Sequence, residues 1–129
     1  MAIGYGLDAL AVGVGGAVGA WLRWGFSTAF NAVLPRLPLG TLAANLLGGF
    51  LMGVLSEGLV LHWVPESLRL LLLTGFLGGL TTFSTFSAEV VNSFRHGRRF
   101  AALIEVLVHT AGSLGLTWVG IALMRALLA

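Results

Sequence analysis

Residues 74–89 read Thr74-Gly75-Phe76-Leu77-Gly78-Gly79-Leu80-Thr81-Thr82-Phe83-Ser84-Thr85-Phe86-Ser87-Ala88-Glu89. The stretch carries no charge before Glu89 and lies inside a longer apolar run from about 66 to 94. A helix needs about 20 such residues to cross the hydrocarbon core of a bilayer, whereas a barrel strand needs only about 10. Run length therefore predicts a membrane-spanning helix. Its middle is unusual, because glycines and hydroxyl residues fall at mid-membrane depth. Glycine costs about 1 kcal/mol of helix stability relative to alanine, so Gly78-Gly79 beside β-branched neighbours can open the helix. An opened helix leaves carbonyls unpaired on one side and N–H groups on the other. Such backbone is tolerated only where it is buried or lines a cavity. Freed carbonyls suit a cation and freed N–H groups an anion. The same residues equally suit an unbroken, glycine-rich packing helix.

Three more apolar runs flank this one, at about 7–31, 39–61 and 100–128. The joints are short and polar or proline-rich: Pro35-Arg36-Leu37-Pro38, His62-Trp63-Val64-Pro65-Glu66 and Arg95-His96-Gly97-Arg98-Arg99. Residues 1–129 thus read as one all-α domain of four transmembrane helices. The segment Met1 to Asp8 lacks the basic n-region of a cleavable signal, so the first run is expected to be retained. Arg36, Arg95, Arg98 and Arg99 fall on one side of this layout, Arg69 and Arg125 near the other. The positive-inside bias is small and compatible with insertion in both orientations.

Composition agrees. Of the 129 residues 57% are hydrophobic and 9% charged, against about 25% charged in a typical soluble domain. That excludes a soluble enzyme, a disordered regulator and a nucleic-acid binder. The seven basic residues are all arginine and are scattered, so no polyanion footprint exists. Cysteine is absent, which removes disulfides, thiolate metal sites and cysteine nucleophiles.

Several side chains bear on function. Phe83 and Phe86 are three apart and share a helix face; Ser84 and Ser87 share another, and Thr82, Thr85 and Glu89 a third. Aromatic ring edges carry positive partial charge and can meet an anion, although paired phenylalanines usually only pack. Asn45 sits mid-span and must find partners inside the protein. It suits a helix–helix hydrogen bond or a pore donor without formal charge. Glu105, His109, Ser113 and Thr117 recur every four residues and form a stripe expected to face protein or water. Glu105, near the end of its span, equally suits interfacial solvation. Arg23 is expected to snorkel to the interface or pair with a carboxylate, in a structural or anion-attracting vestibule role. Gly15-x-x-x-Gly19 and Gly49-x-x-x-Gly53 are read as helix-packing surfaces.

With these residues in view, the chain resembles the Fluc family of fluoride channels, also called CrcB. The resemblance rests on Gly40-Thr41-Leu42-x-x-Asn45-Leu46-x-Gly48, on the run from Gly75 to Glu89, and on Gly19-Ala20-Trp21-Leu22-Arg23. It covers nearly the whole chain. It implies an antiparallel, dual-topology homodimer with a broken third helix and two pores, in the bacterial inner membrane and in contact with lipid. Such a channel exports cytoplasmic fluoride passively, rejects chloride and lowers fluoride toxicity; it is not an enzyme. By motif, the fluoride path matches Asn45, Phe83, Phe86, Ser84, Thr85 and Ser113, with a polar track to Glu89. Arg23 matches the arginine of the first span. A structural sodium ion at the dimer centre would be held by the main-chain carbonyls of Gly78 and Thr81. Glu105 and His109 occupy positions where the family pattern is variable, and bear on pH response or conduction rate.

Two other readings compete. A small proton-coupled exporter is also a four-span dimer, but it needs a carboxylate deep in its first span. Here that span carries Arg23, and Asp8 lies at its edge. A membrane-embedded hydrolase would want a complete nucleophile constellation. Ser113 and His109 are one turn apart, with no evident third partner.

Overall fold

The computed structural model describes residues 2–129, and among these it contains helices and turns but no strand. Helix α1 spans Ala2–Phe30 and α2 spans Leu39–Val60. A 3-10 turn at Glu66–Leu68 leads into a π-helical segment, Leu70–Leu77, and a short α3, Gly78–Leu80. Thr81 and Thr82 adopt extended backbone angles, after which α4 runs Phe83–Arg95 and α5 runs Arg99–Leu128. Four stretches are long and apolar enough to cross a membrane: Gly4–Phe30, Leu39–Val60, Glu66–Arg95 and Arg99–Leu128. They coincide with the expected runs, except that the first helix begins several residues earlier.

Local chemistry sets the joints. Pro38 precedes α2, where its fixed φ and missing N–H are harmless. Thr82 caps α4, its hydroxyl accepting from the Thr85 N–H at 3.0 Å. Two helices end alike, with a left-handed residue that lets two N–H groups reach back to the last turn. After α4 that residue is Gly97, with φ +76°; Gly97 N donates to Phe94 O and Arg98 N to Ser93 O. After α2 it is His62, with φ 60°; His62 N donates to Leu59 O and Trp63 N to Gly58 O.

Glycines bring the spans together. A Cβ at Gly15 or Gly19 would meet the carbonyls of Leu71 or Phe76, and one at Gly79 would meet that of Gly16. In the same way Gly53 lies against the Thr117 carbonyl and Gly120 against that of Phe50. Backbone thus packs on backbone between α1 and the third span and between α2 and α5, as membrane helices do. A core of Ala44, Leu77 and Leu80, with Phe26, Leu47, Leu51, Leu55, Leu73 and Phe76 against it, fills the centre. Large apolar side chains such as Trp24, Leu114 and Trp118 point outward. In water this would be a severe liability; in lipid it is the expected surface.

Arg23 differs from expectation. Its Nε donates to a backbone oxygen, the Gly79 carbonyl at 3.1 Å, and not to a carboxylate. The end of α3 supplies the negative partial charge that a carboxylate would otherwise provide.

Candidate functional site

The extended step at Thr81-Thr82 exposes backbone groups that helical neighbours would otherwise satisfy. Asn45, on α2, takes up two of them. Its Oδ1 accepts from the Thr82 N–H at 2.7 Å and its Nδ2 donates to the Thr82 carbonyl at 3.0 Å. Nδ2 also lies 3.0 Å from His109 Nδ1 on α5. The carboxamide therefore ties three spans together and has no hydrogen left over.

Around it opens a cleft of about 480 Å³ lined by Asn45, Gly48, Thr81, Thr82, Phe83, Phe86, His109, Ser113 and Thr117, among others. No carboxylate or arginine lines it. Phe83 and Phe86 meet edge to face, with ring centroids 5.5 Å apart and planes at 69°. Phe86 is buried and lies 4.5 Å, centroid to centroid, from the His109 ring, whereas Phe83 is 76% exposed. The cleft thus offers hydroxyls, ring edges and an amide-held imidazole, with no fixed charge to retain an anion.

Of the residues expected at the site, Asn45, Phe83, Phe86, Thr81 and Ser113 lie together on this cleft. Ser84 and Thr85 are not among its lining residues but join it through Thr82, whose Oγ1 is 3.3 Å from Ser84 Oγ and 3.0 Å from Thr85 Oγ1. Gly78 and Arg23 stand apart, at the α3 end. Glu89 lies elsewhere, on a cavity of about 80 Å³ shared with Arg36, Ser93, Arg98 and Glu105. Its Oε1 accepts from the Thr41 hydroxyl at 2.6 Å, and Thr41 in turn is held by Asn31 through its N–H, at 3.0 Å. Glu105 is 1% exposed and accepts from the Ser93 hydroxyl at 3.0 Å. Interfacial solvation of that acid is therefore replaced by burial.

The stripe on α5 does face protein. Glu105 and His109 are buried, and the Thr117 hydroxyl donates to the Gly49 carbonyl at 2.8 Å. Sequence reasoning missed three features. The Asn45–His109 contact joins residues 64 apart, and no local pattern announces it. The ion pair between Glu57 and Arg125, 2.7 Å, joins residues 68 apart. The Thr82 cap was not read from the sequence either, although a threonine just before a helical turn is its usual signal. Among the described residues no group of three or more His, Asp or Glu side chains could hold a metal ion.

Comparison with known proteins adds the family. Residues 10–121 match the family described as CrcB-like protein, Camphor Resistance (CrcB). The "Fluoride-specific ion channel FluC" of Ralstonia nicotianae is 52% identical, covering 95% of this chain and 98% of that protein. Proteins of the same name from Cupriavidus taiwanensis and Pseudomonas putida are 54% and 50% identical, covering 94% and 88% of this chain and 97% and 90% of theirs. With most of its length matched by that family and by such relatives, the chain belongs to the CrcB family.

Proposed function

We propose that this chain is a multi-pass membrane protein that forms a fluoride-selective channel, and not an enzyme. It would export cytoplasmic fluoride passively and so lower fluoride toxicity. The observation that carries the reading is the neutral cleft of Asn45, Phe83, Phe86 and Ser113 in a chain more than half identical to proteins named fluoride-specific channels. Fluoride is small and strongly hydrated, so a pore must replace its water with donors. Hydroxyls, an N–H and ring edges do this without a fixed cation that would hold the ion. Ser84 and Thr85 extend the hydroxyl supply through Thr82, and the Thr41–Glu89 pair, whose acid lines the separate smaller cavity, would form a further part of the polar track. The negative-inside potential of a cell then drives the anion outward without ATP or a coupled proton.

The working form in this reading is an antiparallel, dual-topology homodimer in the lipid of a bacterial inner membrane, with the third span acting as a broken helix. The open cleft and the outward Phe83 support it, since one chain does not close a pore. In this reading a sodium ion at the dimer centre would be held by the carbonyls of Gly78 and Thr81. The N–H four residues after Gly78 is that of Thr82, which goes to Asn45; the N–H four after Thr81 is that of Thr85, which goes to the Thr82 hydroxyl. Both carbonyls thus lose the helical donor that would normally occupy them. Arg23 engages the intervening Gly79 carbonyl and so braces the same helix end. Bound sodium would supply a positive charge against these oxygens. Dimers that keep full transport and stability after exhaustive sodium removal would eliminate it.

The test of function is fluoride release from liposomes holding the purified protein, followed by a fluoride electrode, with valinomycin and potassium setting the voltage. Rapid fluoride release with chloride retained is expected. Well-reconstituted protein that releases no fluoride, or releases chloride equally, would overturn the reading.

A further inference from the structure

The orientation of the Asn45 amide is dictated by backbone. The Thr82 N–H can only donate and the Thr82 carbonyl can only accept, so Oδ1 faces the first at 2.7 Å and Nδ2 the second at 3.0 Å. Nδ2 carries two hydrogens. One is spent on Thr82; the other points to His109 Nδ1, 3.0 Å away. Nδ1 must then be an acceptor. A neutral imidazole carries one N–H, so that of His109 is on Nε2.

Nε2 is buried and has no hydrogen-bond partner. Buried N–H groups without an acceptor are rare in folded proteins and call for an explanation. His109 itself is 4% exposed, lines the cleft and lies against the Phe86 ring. The residues that line the cleft thus include one amide whose donors are both committed and one imidazole whose Nε2 is buried and has no partner in the single chain.

We infer that His109 Nε2–H is an anion donor of this cleft, and that Asn45 is a positioning residue that fixes the tautomer presenting it. The inference rests on the fluoride-channel reading above and assigns the donor within it. A hydrogen bond to an ionised acceptor is among the stronger kinds, and a neutral donor still permits release. The backbone step at Thr82 sets Asn45, Asn45 sets the imidazole, and the imidazole meets the ion. The Phe86 ring packs against the imidazole, 4.5 Å centroid to centroid.

The first measurement is the tautomer, read from 15N shifts of histidine-labelled protein in micelles. The wild type should show His109 as the Nε2–H form, and Asn45→Asp, which offers no N–H, should convert it to the Nδ1–H form. Adding sodium fluoride, but not sodium chloride, should shift the Nε2 signal. A wild-type Nδ1–H form, an unchanged tautomer in Asn45→Asp, or no response to fluoride would each overturn the inference. The second measurement compares His109→Gln with His109→Asn in liposomes. Glutamine sets its amide nitrogen near the Nε2 position, and asparagine sets its own near Nδ1. Fluoride flux in the asparagine variant should fall about tenfold or more below that of the glutamine variant; equal fluxes would overturn the assignment. A wild type that binds fluoride at Nε2 but does not conduct it would defeat the channel reading and leave the donor in place.

Discussion

Arg23 reaches from α1 to the end of α3, its Nε donating to the Gly79 carbonyl at 3.1 Å. The contact lands on the helix turn that precedes the extended residues Thr81 and Thr82. It places a permanent cation where the α3 carbonyls concentrate negative partial charge. Arg23→Leu should therefore lower stability by about 1–3 kcal/mol and reduce fluoride flux. Arg23→Lys should recover part of both, because charge survives but the planar fork does not. Thermal melts in detergent and liposome efflux check this, and a leucine variant with a wild-type melt and flux would contradict it.

The two phenylalanines should separate flux from stability. Phe83 is exposed in the single chain and Phe86 is buried between Phe83 and His109. Phe83→Ala should leave the melt of the folded chain nearly unchanged and still cut fluoride flux. Phe86→Ala should cut flux and also cost about 3–5 kcal/mol, as for a buried phenylalanine elsewhere. Wild-type flux from a folded Phe83→Ala protein would remove the ring edges from the conduction path.

Glycine substitutions should divide by what a methyl group would meet. At Gly79 it would meet the Gly16 carbonyl and the Ala20 N at 3.0 Å, both backbone and unable to yield. At Gly115 it would meet nothing within 4 Å. Gly79→Ala should destabilise by about 1–3 kcal/mol through forced separation of α1 from the third span. Gly115→Ala should be neutral or slightly stabilising, since alanine favours helix. Equal melts for the two variants would contradict the packing described.

Glu57 and Arg125 tie α2 to α5 at 2.7 Å, with Glu57 nearly buried and Arg125 largely exposed. Exposure of one partner limits the attraction, so a double-mutant cycle with Glu57→Gln and Arg125→Gln should yield a coupling on the order of 1 kcal/mol. Arg125→Gln alone should be the costlier single change, because it leaves a buried carboxylate uncompensated. Additive effects in the cycle would show that the pair contributes no coupling.

Much of this was legible without coordinates. Span number and approximate ends followed from runs of apolar residues, because crossing a bilayer is a requirement on local length and hydropathy. The Gly78-Gly79-Leu80-Thr81-Thr82 stretch announced weak helix, and Phe83 and Phe86 announced a shared face, because both depend on neighbours along one helix. Glu105 was harder. Its nearness to a span end favoured water, yet the Ser93 hydroxyl across the α4–α5 turn keeps it buried.

The sequence by itself determined the all-helical membrane layout, the family and the residue types that gather at its centre. Only the tertiary structure decided which polar groups satisfy one another: Arg23 with Gly79, Asn45 with Thr82 and His109, and Glu57 with Arg125. These partners are 56, 37, 64 and 68 residues apart respectively. Hydropathy and helix period act over one span and are written in consecutive residues. Hydrogen-bond partnership across spans depends on the close glycine contacts that set each helix against the next, and those distances exist only once the chain has packed.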